Sequence, residues 1–400
     1  MRSPRGLTIA ATVLALSLVA AACGGDEETA SDGGGGGASD CTWAIGTIGA
    51  LSGDLASIGG PIRDGIAYAV DQQNEQGDLA CELSLQEEDS QGDPEQAPQL
   101  VQSLIQNEEL VAVVGPYFSG ETLATGDIFD DAGVAFLTPS ATNETIDDQG
   151  WDTFFRGVGD DAIQGAQAAR YIESLEPASV VVVHDNQDYS KGLADTVAKE
   201  LGDIAEGPLI INPEETDYSS TVTQIAEIGP DLVFYGGYTP QAGPLARQLR
   251  EGNVDATFIS DDGSKDPTFG DLAGPGAEGA QVTCPCADPA EIEGGQEFVD
   301  GMEQANGELP GTYAAEGFDS VNIIAEGLAD FTADDSIEDV RSGVVEYLDG
   351  VDGYAGVTKD YTFDDNGQVE VGPEGIFVYE WDDAVGNFAI IGSIEAELSQ

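Results

Sequence analysis

Positive charge is what this sequence most lacks. Twelve lysines and arginines stand against 76 aspartates and glutamates in 400 residues, a formal charge of −64. A surface of that sign repels DNA, RNA and anionic lipid, so nucleic acid is excluded as a partner. Histidine is scarcer still, with His184 alone. One histidine and no second CxxC leave a zinc ion without a ligand set. A hydrolase needs a nucleophile with a base in reach, and His184 at a strand end is the one candidate base of its kind. Neither a GxSxG elbow nor a GxxxxGK[ST] phosphate loop occurs. Carboxylate pairs abound, but among 76 acidic residues they carry no information. These absences point to a protein that is not an enzyme and uses no metal or other cofactor.

Such a charge raises the question of disorder. The 41% of hydrophobic residues, strongly periodic along the chain, argue for a folded protein instead. The acidic excess then describes a halophilic surface, whose carboxylates are kept apart by screening in high salt.

Long apolar runs are also missing, apart from Leu7–Ala22. That run of about 16 residues is shorter than the ~20 a membrane-spanning helix needs, and a basic start with Arg2 and Arg5 precedes it. It reads as an export signal over residues 1–22, and LVAAAC resembles a bacterial lipoprotein signal in which Cys23 becomes the lipidated first residue. Residues 23–40 continue as a Gly/Ser/Asp-rich tether with nothing to bury. Losing Arg2 and Arg5 from the 12 basic residues leaves 10 against 76 acidic ones, about −66. About 360 residues remain, enough for two domains.

Four cysteines are left in an exported, oxidising setting. Cys41 precedes the first expected strand and Cys81 the second. Neighbouring parallel strands bring those starts together, which favours a Cys41–Cys81 disulfide. Cys284-Pro285-Cys286 is either a tight local disulfide or a pair of thiols.

Apolar runs alternate with amphipathic stretches. WAIGTIGAL, a helix near 60–74, LSLQEED, a helix near 94–107 opened by Asp93-Pro94, VAVVG, a helix near 121–131 and VAFLTP form one series. After FFRGVG a second series runs through a helix near 162–174, SVVVVHD, a helix near 191–201 and PLII. It continues with a helix near 220–228, DLVFYGG, a helix near 240–250 and TFIS. This predicts an α/β protein of two Rossmann-like lobes with parallel sheets. The tail has helices near 290–306 and 313–331, then strands near 376–381 and 388–391. It is too small for a third domain and completes the first two, so the chain crosses between lobes more than once. The expected lobes are 41–157 plus 288–358 and 158–287 plus 359–400.

Ligands of open α/β sheets lie beyond the carboxyl ends of the strands. The residues there are Leu51, Ser52, Gly53 and Ile58-Gly59; Tyr117, Phe118 and Ser119; and Ser140, Ala141 and Thr142. The second series adds His184, Asp185 and Tyr189, then Gly236, Gly237 and Tyr238, then Asp261, Asp262 and Gly263. Hydroxyls and helix starts suit a carboxylate, an acid suits an ammonium, and rings suit an apolar side chain. No basic residue belongs to the set, which leaves an anionic side chain or a phosphate without a strong partner. Taken singly, Ser119 and Thr142 read equally well as caps and Asp261-Asp262 as surface charge. The convergence of the loops favours a site that binds a free amino acid.

ALSGDLASIG, VGPYFSGET, TPSATNET, VHDNQDYSKGLA, YGGYTPQAG and SDDG together resemble the branched-chain amino-acid-binding proteins of ABC importers, over nearly the whole mature chain. These are type I periplasmic-type binding proteins, two lobes joined by multiple hinge crossovers. The resemblance implies that Ser119 and Thr142 hold the ligand carboxylate. Ser140 and Ala141 offer backbone groups, the Ala141 carbonyl facing the ammonium. Tyr189 and Tyr238 close over the ligand beside Gly263, and Asp262 pairs with the ammonium. Tyr117, Phe118, Ile58 and Tyr313 shape the side-chain pocket. Two departures stand out: family members carry glutamate where Asp262 stands and an aromatic ring where Ile58 stands. The implied protein is an extracytoplasmic, lipid-anchored, monomeric receptor for leucine, isoleucine or valine, handing its ligand to an ABC permease. Related branches bind amides, urea or aromatic acids, and a sensory module would share the pocket.

Overall fold

A computed structural model describes residues 41–292 and 294–399. The export signal, Cys23 and the tether lie outside the described residues. The first series is β1 Thr42–Gly49, α1 Ala56–Gln76, β2 Glu82–Asp89, α2 Ala97–Ile105, β3 Leu110–Val114, α3 Ser119–Asp131, β4 Ala135–Thr138 and β5 Phe154–Arg156. Its strands form a parallel sheet in the order β2-β1-β3-β4-β5. The second series is α4 Asp161–Ser174, β6 Val180–His184, α5 Asp188–Leu201, β7 Ala205–Ile210, α6 Ser219–Ile228, β8 Leu232–Gly236, α7 Thr239–Glu251, β9 Thr257–Ser260, α8 Thr268–Ala273 and β10 Gln281–Cys284.

The tail is α9 Gly295–Asn306, α10 Ala314–Leu328, α11 Ile337–Asp349, β11 Asp352–Ala355, β12 Asp360–Thr362, β13 Phe377–Asp382, β14 Asn387–Ser393 and α12 Ile394–Glu397. The second sheet runs β14-β13-β10-β9-β8-β6-β7, parallel except where β13 and β14 join antiparallel. The molecule is therefore α/β with two parallel-sheet lobes, as expected. Every residue of β3, β6 and β8 is buried. That is why their sequences run apolar without alternation: helices cover both faces of the sheet.

The tail divides between the lobes. Helix α10 returns to α1, where a Cβ on Gly65 would lie 1.9 Å from the Ala314 carbonyl oxygen, so only glycine permits that approach. Helix α11 reaches the first sheet through Arg341, whose Nε donates to the Leu110 carbonyl at 2.7 Å. Strands β13 and β14 extend the second sheet. The chain passes between the lobes after β5, after β10 and after β12. The first and third passages run side by side: the Arg156 N–H donates to the Gly367 carbonyl at 2.8 Å, and the Val369 N–H to the Arg156 carbonyl at 3.0 Å.

Cys41 pairs with Cys81 across the starts of β1 and β2, which lie in register from Thr42 opposite Glu82. Cys284 and Cys286 are also joined. The boundary of α2 differs from expectation. Asp93 and Pro94 belong to a turn, in which the Asp93 carboxylate accepts from the Glu95 N–H at 2.8 Å, and the helix begins at Ala97. Helix α9 likewise begins at Gly295, because Pro289–Glu291 forms a separate 3-10 turn. Strand β10 and helix α11 are additions to the elements read from the sequence, although α11 carries a helical apolar stripe of Ile337, Val340, Val344 and Leu348.

Candidate functional site

The strand-to-helix loops meet between the lobes around a narrow cleft. Ile58, Tyr117, Phe118, Ser119 and Ser140 line it from the first lobe, Tyr189, Tyr238, Asp262 and Gly263 from the second, with Tyr313 at the edge. Ala141 and Thr142 do not line it, but both are buried beside it. The apolar run β3 ends in this loop because α3 starts at Ser119, directly behind the two rings. First-turn N–H groups of a helix have no intrahelical partners and face an anion well. The Ser119 hydroxyl accepts the Asn143 N–H at 3.2 Å, which leaves its proton for another acceptor. Ser140 spends its own proton on the Tyr117 carbonyl at 2.8 Å.

Opposite stands Asp262. Its Oδ1 accepts from Gln164 Nε2 at 2.7 Å and from the Tyr189 hydroxyl at 2.7 Å. Its Oδ2 accepts from the Tyr313 hydroxyl at 2.8 Å. Tyr313 is placed by an unusual backbone: φ is 64° at the residue preceding α10, a left-handed conformation rare for an aromatic residue and typical of ligand clamps. Burial pushes the Asp262 carboxyl above its usual range, against the pull of these three donors. Asp261 is pushed up as well, by burial and by Asp262 beside it.

Rings bridge the lobes. Phe118 meets Tyr238 edge-on with centroids 5.6 Å apart, and Tyr238 lies 5.1 Å from Tyr189. A Cβ on Gly263 would fall 2.9 Å from the Tyr189 ring and 3.0 Å from the Tyr238 ring, so glycine there lets both rings close down. Asn143 adds a polar tie, its Nδ2 donating to the Asp188 carbonyl at the start of α5 at 2.7 Å. His184, the one base the sequence offered, is turned to structure: its Nδ1 accepts the Asn186 N–H at 2.9 Å, and burial pulls its pKa down.

A family model described as periplasmic binding protein matches residues 42–385. The chain belongs to the periplasmic binding protein family. Members of that family are binding proteins, not enzymes. Among similar proteins is an "amino acid binding protein" of Pseudomonas aeruginosa, 31% identical over 349 residues, covering 85% of this chain and 90% of that one. Another, from the same organism, is a "leucine-, isoleucine-, valine-, threonine-, and alanine-binding protein", 30% identical over 295 residues, 72% of this chain and 78% of its own. A solved branched-chain amino acid transporter substrate-binding protein of Streptococcus pneumoniae, in complex with isoleucine, superposes with a TM-score of 0.78 at 25% identity. It covers 87% of this chain and 98% of that one. The fold is that of a type I periplasmic binding protein.

Sequence reasoning missed four polar residues around this periplasmic binding protein's cleft, three of them buried. Asp161 and Gln164 lie in the first turn of α4, which Asp160 caps by accepting the Ile163 N–H at 2.9 Å. Arg156 is wholly buried beneath the TPSATN loop. Lys265 lies three residues past Asp262, its Nζ 4.4 Å from the centre of the Tyr379 ring, in a larger inter-lobe cavity that shares Tyr313 with the cleft.

One buried acid near the site serves stability. Glu121 lies in the first turn of α3, accepting from the Phe118 N–H at 3.3 Å and meeting the Ser90 hydroxyl. Burial raises its pKa to about 7. The unfolded chain releases this proton at lower pH than the native one, so folding loses stability as pH rises from about 4.5 to about 7. Glu121→Gln keeps one of the two accepting oxygens and removes the titration. It should stabilise the protein more at pH 8 than at pH 5, by about 2 kcal/mol. Urea unfolding at the two pH values checks this, and an equal effect at both would refute it.

Proposed function

We propose that this protein is the extracytoplasmic receptor of an ABC importer and closes by hinge motion on one small α-amino acid with an apolar side chain. One observation carries the reading: a buried carboxylate held by three side-chain donors faces, across a ring-lined cleft, a serine at a helix N-terminus. An ammonium suits Asp262, and a carboxylate suits Ser119 and the start of α3. Ile58, Tyr117, Phe118 and Tyr313 wall the side chain. The relatives named for leucine, isoleucine, valine, threonine and alanine support the same class. In this reading the moving bodies are 41–157 plus 288–358 and 158–287 plus 359–400. Residues 1–22 are removed, Cys23 carries the lipid, 23–40 tether a monomer to the membrane beside its permease, and the acidic surface serves a high-salt habitat.

The test is thermal unfolding of residues 41–400 in molar salt, with each amino acid, urea, simple amides and benzoate. A ligand at 100 times its Kd should add about 2.7 kcal/mol. A shift with leucine, isoleucine or valine supports the reading. A shift only with amides or benzoate refutes the ligand class, and no shift at all refutes the pocket.

A further inference from the structure

Cys284 ends β10, where the chain leaves the second lobe, and both it and its bridged partner Cys286 are buried. A disulfide stabilises mainly by constraining the unfolded chain, and it does so least for a short loop. Cys41–Cys81, with 40 positions between its ends, suits that role; Cys284–Cys286, with 2, does not. The surroundings of the second bridge give it another. Two of the three donors that hold Asp262 rest on this end of β10. Gln164 Nε2 donates to the Thr283 carbonyl at 3.1 Å as well as to Asp262. The Tyr313 hydroxyl, which donates to Asp262, lies 3.9 Å from Cys284 Sγ. Behind the bridge, the Tyr379 hydroxyl donates to the Cys286 carbonyl at 2.7 Å.

We propose that the Cys284–Cys286 bridge is a redox-sensitive positioning element of the ligand site: it holds Gln164 and Tyr313 on Asp262, a dithiol reductant releases them, and a bound amino acid shields it. Two thiols need more room than two bonded sulfurs, because a covalent bond becomes a van der Waals contact. With both cysteines buried, a neighbour must give way. Tyr379 is fixed in β13, which pairs with β10 in the same sheet, whereas Tyr313 comes from the other lobe. Reduction therefore pushes Tyr313 off Asp262. A thiolate of the dithiol attacks one sulfur, the other leaves as a cysteine thiolate, and the dithiol's second thiolate then frees the remaining cysteine. Two electrons and two protons pass from the dithiol, which becomes a disulfide, to the cysteines. The attack needs access, and closure keeps Tyr313 over Cys284. The inference rests on the reading of an amino acid bound by hinge closure.

The experiment titrates leucine calorimetrically into the full mature chain before and after dithiothreitol, with iodoacetamide labelling and peptide mass mapping to count thiols at each cysteine. Once Cys284 and Cys286 are reduced, leucine affinity should fall at least tenfold and return on re-oxidation. The double variant Cys284→Ser, Cys286→Ser should start weakened and no longer respond to dithiothreitol. Saturating leucine should slow labelling at Cys284 and Cys286 at least tenfold, with Cys41 and Cys81 as the internal reference. A smaller loss of affinity in the reduced protein would overturn the proposal. So would an equal response to dithiothreitol in the double variant, which would assign the effect to Cys41–Cys81, and so would labelling that leucine does not slow. Oxidised wild type that binds no leucine would instead overturn the amino-acid reading, and this inference with it.

Discussion

Asp262→Asn should abolish tight amino-acid binding while leaving a folded protein. The side chain keeps its shape, and Oδ1 still accepts from Gln164 and Tyr189. What disappears is the charge, and a ligand ammonium enclosed by Phe118, Tyr189 and Tyr238 then has no counter-ion in the second-lobe wall of the cleft. Leaving one member of a buried ion pair unpaired costs about 3–5 kcal/mol, or roughly two to three and a half decades in Kd. The apo protein should lose little, because the change also removes a buried charge next to Asp261, whose own carboxyl that charge pushes upward. The same logic fixes a pH dependence in the wild type. Asp262 has a raised pKa without ligand, an ammonium draws it down, and binding releases a proton. Affinity therefore falls as pH drops through the raised value. Titration calorimetry across pH measures both effects. Leucine binding to Asp262→Asn within threefold of wild type would exclude this residue as the counter-ion.

Arg156→Met should produce the largest loss of stability. The guanidinium is fully buried, and every arm is used: Nε donates to Gln368 Oε1 at 2.7 Å, Nη1 to the Asn143 carbonyl at 3.0 Å, and Nη2 to Asp147, with Asp160 at 3.9 Å. Its backbone pairs with the third passage between the lobes. One side chain thus joins the TPSATN loop, two of the passages between the lobes and the cap of α4. Methionine fills the volume but leaves those carbonyls and acids without a donor, at about 3–5 kcal/mol. Three exposed ion pairs set the scale. Arg170–Glu395, Lys191–Asp195 and Arg250–Glu278 are each about half exposed or more, and such pairs contribute about 0–1 kcal/mol. Urea unfolding should show the difference, and a loss below 1 kcal/mol for Arg156→Met would refute it.

The parts of the site legible in the sequence are those formed by local transitions. Tyr117, Phe118 and Ser119 follow β3 directly, and Asp262-Gly263 follow β9, because a buried parallel strand must deliver its next residues to the ligand face of the sheet. The missed residues owe their places to long-range geometry. Gln164 reaches Asp262 across 98 positions, and Arg156 reaches Gln368 across 212. In the sequence, Gln164 is one polar residue on an amphipathic helix, and Arg156 ends the short strand β5 with no pattern around it.

By itself, then, the sequence determined the two alternating series, their buried strands and the loops that face the cleft, because strand burial and helix starts are set by near neighbours. It also determined the Cys41–Cys81 pairing, since adjacent parallel strands begin together. Only the tertiary structure decided that α10 and α11 return to the first lobe while β13 and β14 extend the second sheet, and that Tyr313 is swung onto Asp262 by a left-handed backbone. It alone decided that the buried Arg156 ties the first and third passages together. Each of these depends on which surfaces remain uncovered once both sheets exist, and a chain with three passages between its lobes carries that information in no single segment.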